Sequence, residues 1–416
     1  MASTTLPGIA SRPDQTLALN MKLLSHHDLQ GFGGIGEGMG MQLARDGRRI
    51  LWLAHESAPK NFTAVDVTDP KNPRVVVQTE LPHAKVRSNS LDVVGDTMAV
   101  AYQTSAVNTQ PAGFDLFDIS KPEIPKLISH FDASGAHSRG VHAVWFVDGE
   151  TVHMASGAPD FQPTNPADDQ FYRIVDVRNP SEPAEVGRWW LPGTRVGDST
   201  PPPARHPKFD SGFRAHNTNV FPQRPDRAYV GYISGGAVIL DIADKARPKL
   251  VAHWRYSPPY TGFTHTVLPL FGRELLIVSD ECVYPDGKDW PKLVWVVDAR
   301  VESNPVPIST FPLPPVETFA RNGGRFGAHN LHENLPVPGS WKSEDVIVGT
   351  FFGGGVRAFD VSNPYQPQEI AYFVPPAPKL SRVGSIQLND VYVDDRRLVY
   401  SVDRFAGGLY VLEMTI

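Results

Sequence analysis

One motif recurs along the chain, and its spacing restricts the fold more than any other feature. Phe62-Thr-Ala-Val-Asp-Val-Thr-Asp-Pro-Lys-Asn-Pro73 returns as Phe114-Asp-Leu-Phe-Asp-Ile-Ser-Lys-Pro-Glu-Ile-Pro125 and as Tyr172-Arg-Ile-Val-Asp-Val-Arg-Asn-Pro-Ser-Glu-Pro183. Further copies centre on Asp241 (Val-Ile-Leu-Asp-Ile), Asp298 (Trp-Val-Val-Asp-Ala) and Asp360 (Arg-Ala-Phe-Asp-Val), and a shortened one is Leu409-Tyr-Val-Leu-Glu-Met414. Successive aspartates stand 52 to 65 residues apart. Short β-branched and aromatic runs at such a period predict propeller blades of four strands with long loops. The chain has 416 residues, beyond the roughly 250–300 at which a single core stops growing. Growth by repetition accommodates that length.

Four strands are legible in each unit. The innermost ends in a tight polar turn, such as Gly95-Asp96, Asp148-Gly149 or Asp394-Asp395, and a second strand follows, such as Met98-Ala-Val-Ala-Tyr102. The Val-x-Asp-Val run is the third, and the Pro-x-x-Pro element ends it because proline cannot donate to a ladder. The fourth reads Lys126-Leu-Ile-Ser-His130 or Lys249-Leu-Val-Ala-His253. Lys22-Leu-Leu-Ser-His26 matches this fourth strand with nothing before it, while the last unit stops after its third. Residues 21–27 are therefore expected to complete the last blade and close the ring, leaving no open edge. The expected fold is all-β: an N-terminal extension over residues 1–20 and a single seven-bladed β-propeller of four-stranded blades over 21–416.

Val238-Ile-Leu-Asp-Ile242 and Ile174-Val-Asp-Val177, with the proline pairs that follow, resemble the LVIVD-repeat proteins, a propeller family. The resemblance spans roughly residues 20 to 416. It implies a seven-bladed propeller and no role for any particular residue.

Composition narrows the function. Lys and Arg number 39 against 45 Asp and Glu, a net charge of −6, which argues against nucleic acid or an anionic membrane as partner. The single cysteine, Cys282, excludes a disulfide framework and a Cys-rich metal site. Neither a signal peptide nor a spanning segment is legible. The expectation is a cytoplasmic protein acting on a small molecule.

Counting back from the tight turns aligns Gly40, Asn89, His142, His216, His265, His329 and Asn389 at the start of the innermost strand, which lines the axial channel. Four consecutive blades thus bring an imidazole to one level of one channel. Neutral imidazole is the commonest metal ligand, and four charged ones would repel. His142, His216, His265 and His329 are the expected ligands of one divalent ion, with Fe(II) favoured and Zn or Mn as further choices. His26, His130 and His253 on the outer strands read as structural. His332 reads as structural or as a support to the ligands, since positions three apart on a strand face opposite ways. His137 is a weaker candidate in a loop.

The second strand of each blade returns to the same end of the channel, bringing His55, Glu281 and Asp403 there as candidate catalytic groups: general bases, or carboxylates that accept the outer N–H of a ligating histidine. Long loops at 158–170, 192–212, 282–291 and 312–327 emerge on that face, as binding loops do. Phe352, Tyr284 and Trp290 are candidates for substrate contact, and aromatic walls suit an apolar or aromatic molecule. The leading functional expectation is a metalloenzyme leaning to non-haem iron oxidative cleavage. The arrangement resembles, in geometry and not in motif, the four-histidine iron site of the carotenoid-cleaving oxygenases. Metal-dependent hydrolase or lyase chemistry at the same site is the alternative, and a non-catalytic interaction scaffold is the third reading.

Overall fold

The computed structural model describes residues 12–31, 34 and 36–416. Among the described residues seven antiparallel sheets, six of four strands and one of five (blade two, where Val86–Arg87 also pairs), plus a two-stranded ribbon, are arranged as blades around one axis. Blade one runs through Met39–Leu43, Arg49–Ala54, Lys60–Asp66 and Arg74–Glu80, and blade two through Leu91–Val94, Thr97–Thr104, Gly113–Asp118 and Lys126–Asp132. Blade three comprises Val141–Trp145, Thr151–Ser156, Phe171–Asp176 and Ala184–Trp189; blade four comprises Thr218–Phe221, Arg224–Gly231, Ala237–Asp241 and Lys249–Trp254. Blade five uses Thr264–Leu270, Leu275–Asp280, Val294–Asp298 and Val306–Thr310. Among the described residues no helix is long and apolar enough to cross a membrane.

Ring closure follows the expected route. Met21–His27 pairs antiparallel with Leu409–Met414, outside Leu398–Asp403 and Leu388–Val393, to complete blade seven. Blade six departs from the simple pattern. Its regular strands are Val346–Thr350, Val356–Asp360 and Gln368–Val374, and Leu17–Leu19 adds an outer strand to the last of these. Part of the segment read as an extension thus belongs to the propeller. The inner strand of blade six is irregular, held by a bridge between Leu331 and Gly349 and by the amide of His329 donating to the Thr350 carbonyl at 3.0 Å.

The repeated aspartate has a local cause. In all six copies it ends the third strand, and its Oδ1 accepts the amide two residues on (Thr68, Ser120, Arg178, Ala243, Arg300, Ser362) at 2.8–3.0 Å. This Asx turn satisfies a backbone donor as the chain leaves the sheet. Fourth-strand serines stitch neighbouring blades: the hydroxyls of Ser25, Ser129 and Ser309 donate to the carbonyls of Pro70, Pro180 and Pro364 in the next turn. Face-to-face stacking buries the middle strands on both sides, as in the fully buried Ile50, Leu51, Trp52 and Leu53 of blade one.

Candidate metal centre

At the channel end of the inner strands the ladder slips by one residue. The register shifts between Val141 and Ala143, between Thr264 and Thr266, and between Leu388 and Asp390. The extra residue is His142, His265 or Asn389. A bulge re-aims the side chain it carries, and here it turns that side chain into the channel. Blade four repeats the geometry, with the His216 amide donating to the Gly231 carbonyl and the Gly231 amide to Asn217.

The four imidazoles meet. His142 and His216 bring their Nε2 atoms within 2.8 Å, and successive rings lie with centroids 4.3, 3.9 and 4.8 Å apart around the ring from His142 to His329. All four outer nitrogens are occupied. Nδ1 of His142 faces Gln103 Oε1 at 3.1 Å, that of His216 faces Asn217 Oδ1 at 2.9 Å, that of His265 faces Thr266 Oγ1 at 2.8 Å, and that of His329 faces the Asn389 carbonyl at 2.7 Å. With the proton on Nδ1, as these oxygens allow, each Nε2 would present its lone pair to the channel, the tautomer a metal needs. Nε2 of His265 and of His329 is buried without a hydrogen-bond partner.

A residue that the sequence alignment passed over completes the group. Blade one presents Glu37, not Gly40. Gly36 donates to the Ala54 carbonyl and Ala54 to the Gly38 carbonyl, which leaves Glu37 at the channel. Its carboxylate lies 3.5 Å from His142, 3.8 Å from His216, 3.9 Å from His265 and 3.6 Å from His329, measured to Nε2. Gly40 sits further along, paired with Trp52. Counting back from the turn fails here because the hairpin of blade one is longer: it closes at Leu43–Arg49 through residues 44–48, whereas blade two closes at Val94–Thr97 through Gly95 and Asp96. The available signal was Gly36-Glu37-Gly38. A Cβ at Gly36 would fall 2.5 Å from the Asn89 carbonyl oxygen and one at Gly38 2.2 Å from the Leu91 nitrogen, so both positions require glycine where blades one and two approach.

Electrostatics favour the ligand forms. Burial disfavours charge on His142, His216 and His329, lowering each pKa so that the rings stay neutral. Burial also opposes ionisation of Glu37, yet hydrogen bonds from the imidazoles outweigh it and hold the carboxyl well below the usual range; without a metal this requires Nε2–H on at least one ring, the proton a divalent ion would replace. Ligand atoms of Glu37, His216 and His265, and those of His265, Glu281 and His329, lie within 4.8 Å of one another. Metal–nitrogen bonds of about 2.0–2.1 Å place adjacent ligands of one ion roughly 3 Å apart, close to the spacing of His142 and His216. The residues present therefore fit a divalent ion held by nitrogen and one or two carboxylates.

Of the candidate catalytic groups, only Glu281 is brought to the ring. Its carboxylate lies 3.8 Å from His216 Nε2 and 3.7 Å from His329 Nε2 and accepts from Arg325 Nη1 at 2.7 Å. Burial opposes its ionisation, but His329 and Arg325 draw its pKa below the usual value. His55 turns back into blade one, with Nε2 2.7 Å from Thr63 Oγ1. Asp403 caps its own loop, accepting the amides of Gln387, Phe405, Ala406 and Gly407 at 2.8–2.9 Å. Phe352 is buried and stacks on His329 with centroids 4.4 Å apart, so it braces that imidazole and does not wall the open site. Trp290 stacks on Phe326 in the outer core. Tyr284 lines the open side of the site. His332 is structural: Nε2 pairs with the Trp341 carbonyl at 2.8 Å and Nδ1 accepts the Val393 amide at 3.2 Å. His137 lies in the turn of the ribbon formed by Ser134–Gly135 and Ser138–Arg139.

Above the ring a vestibule of about 330 Å³ opens, with Glu37, His142, His216 and Glu281 at its floor. Its walls carry four arginines, Arg87, Arg214, Arg325 and Arg404, together with Ile233, Phe263, Val283 and Tyr284. None of the arginines was singled out from the sequence. Below the ring the channel narrows to a cavity of about 40 Å³ among Asp92, Glu333 and Asp390. Burial raises the pKa of all three carboxyls.

Comparison with known proteins supports the fold and says nothing about the reaction. The LVIVD repeat family matches residues 167–190 and 226–255, which carry the outer strands of blades three and four. No curated protein matches in sequence. Among solved structures, the β-propeller domain of Cps50 (Swd1) from Myceliophteria thermophila is similar, with a TM-score of 0.53 at 14% identity, over 92% of this chain and 97% of that one. At that identity the likeness extends to the fold alone.

Proposed function

Taking the chain as an LVIVD-repeat β-propeller of seven blades, we propose that it is a metal-dependent enzyme whose divalent ion is held in the axial channel by His142, His216, His265 and His329, acting on a small molecule in the vestibule above. The observation that carries this reading is the set of four imidazoles with Nδ1 committed to protein oxygens and Nε2 directed inward, two of them buried without a partner. A buried polar atom left unsatisfied is costly, and an ion at the centre would satisfy both nitrogens. Glu37 supplies an anionic oxygen on the blade-one side and offsets part of the ion's charge.

The donor set selects among ions. Nitrogen-rich ligation suits the divalent first-row metals and not calcium or magnesium. Catalytic zinc generally takes three protein ligands, and four histidines with a carboxylate exceed that. Fe(II) is the favoured ion, and when bound it would supply dioxygen activation for oxidative cleavage. The protein's own part is separable from that chemistry. Phe352 and the groups facing Nδ1 fix the ring planes, and the blades around the channel bury the floor residues. Arg325 keeps the Glu281 carboxylate ionised and oriented beside His216 and His329. Glu281 favours a second reading, hydrolysis or lyase chemistry, because it is a carboxylate poised to take a proton. Its lowered pKa makes it a weak base at neutral pH, which places this reading second.

Elemental analysis of the purified protein beside His265→Ala tests the proposal. About one equivalent of metal per chain, lost or much reduced in the variant while circular dichroism stays that of a folded β protein, is expected. A variant that retains full metal and full activity contradicts it.

A further inference from the structure

The vestibule is charged out of keeping with the rest of the molecule. In and around it, five guanidinium groups (Arg87, Arg139, Arg214, Arg325, Arg404) face four carboxylates (Glu37, Glu56, Glu281, Asp169), an excess of positive charge before any ion is counted, on a chain whose net charge is −6. The pairing is unequal. Glu56 is shared between Arg87 and Arg404, the latter at 2.6 Å. Asp169 is shared between Arg139 at 2.5 Å and Arg214 at 3.3 Å. Arg214 therefore has one long bond to a carboxylate already committed elsewhere, and its Nε is buried with no partner. The buried Nε does not reach the vestibule, but the side chain is 22% exposed there, and Nη2 makes no hydrogen bond beside the loosely held Nη1, so the exposed end of the guanidinium offers two donors to an acceptor of two oxygens.

The lining also carries apolar residues, two of them under backbone constraint. Ile233 and Phe263, which line the vestibule, adopt positive φ values of 41° and 76°. Bulky and β-branched residues rarely occupy that region, and such strain persists only where the surroundings hold it, typically at functional sites. Beside them stand Val283 and Tyr284.

We infer that the vestibule takes a small carboxylic acid with an apolar or aromatic body: the carboxylate is held by Arg214 on the cationic side, the body leans on Ile233, Phe263, Val283 and Tyr284, and the far end reaches the histidine ring. This deepens the proposal above and rests on it for the reactive floor. The open Nη2 beside an Nη1 held only by one 3.3 Å bond matches the two oxygens of a carboxylate, and about 330 Å³ is near the small end of ligand pockets. A neutral molecule would leave the guanidinium unsatisfied, and an apolar body gives the hydrophobic wall its purpose.

The experiment is calorimetric binding of benzoate, benzamide and phenyl phosphate to the wild-type protein and to Arg214→Gln, with metal content measured on the same preparations. Asp169 keeps Arg139 in the variant, so its charge stays paired. The expected result is millimolar or tighter binding of benzoate, with benzamide and phenyl phosphate weaker and with Arg214→Gln losing on the order of 10- to 100-fold for benzoate, the range of charge-assisted hydrogen bonds, at unchanged metal content. Equal binding of benzamide, tighter binding of phenyl phosphate, an unaltered variant or no benzoate binding at millimolar concentration would each overturn the inference. Arginine-dependent benzoate binding by a protein that carries and accepts no metal would uphold the carboxylate site while removing the metal reading.

Discussion

The histidines of this chain differ in what their nitrogens touch, and that difference separates function from packing. On the outer strands, His26 and His253 give Nε2 to the carbonyls of Gly407 and Gly235, and His130 pairs with Asp115. His153 packs inside blade three with Nδ1 2.7 Å from the Tyr172 hydroxyl. The ring histidines alone commit Nδ1 outward and converge on Nε2. Buried structural histidines also set an acid limit on stability. Burial lowers the pKa of His55 and His332 from 6.5 to about 4, and that of His153 to about 3. Each stays neutral in the folded state, so below about pH 6.5 the unfolded chain binds protons that the folded one refuses, and stability falls as pH falls. Each such histidine contributes up to about 1.4 kcal/mol per pH unit between the two pKa values. For His153→Gln, denaturant unfolding at pH 6.5 and pH 5 should show a slope shallower by about that amount. An identical slope in variant and wild type would contradict the assignment.

At the scale of the strand and its neighbours, the repeat was legible because its chemistry is local. An aspartate closes an Asx turn two residues on, prolines end the ladder, and β-branched runs fill sheets buried on both faces. The four ring histidines were legible for a similar reason: His142 and His265 stand at one distance from a tight turn, and the Ala-His-Asn flanks of His216 and His329 match each other. Glu37 was not, because its position depends on hairpin length and on how closely blades one and two approach, neither of which a count along one strand contains. The arginines escaped for a different reason: they come from loops and strand ends of several blades, and only closure of the ring gathers them. The glycines flanking Glu37 make this level testable. In Gly38→Ala the new Cβ meets the Leu91 nitrogen at 2.2 Å, and the backbone must shift. Overpacking of this kind costs about 1–3 kcal/mol. A lowered Tm with weakened metal retention is the expected outcome, because the shift carries Glu37 with it. Wild-type melting and wild-type metal content together would show that the close approach does not position Glu37.

The whole molecule is a closed ring whose N-terminal strand Met21–His27 completes the blade that ends the chain, and closure makes the axis a single compartment. That compartment is graded: a cationic vestibule above, a ring of four imidazoles with Glu37 beside it on the blade-one side, and below it a small cavity with three carboxyls whose pKa values burial raises. The central claim is that one ion sits where the four imidazoles point. Anomalous diffraction from crystals of the metal-loaded protein, recorded on either side of the absorption edge of the metal found by elemental analysis, tests it most directly. The account predicts one peak on the propeller axis at about 2.0–2.2 Å from Nε2 of His142, His216, His265 and His329. No peak there, or a peak bound elsewhere on the chain, would contradict it.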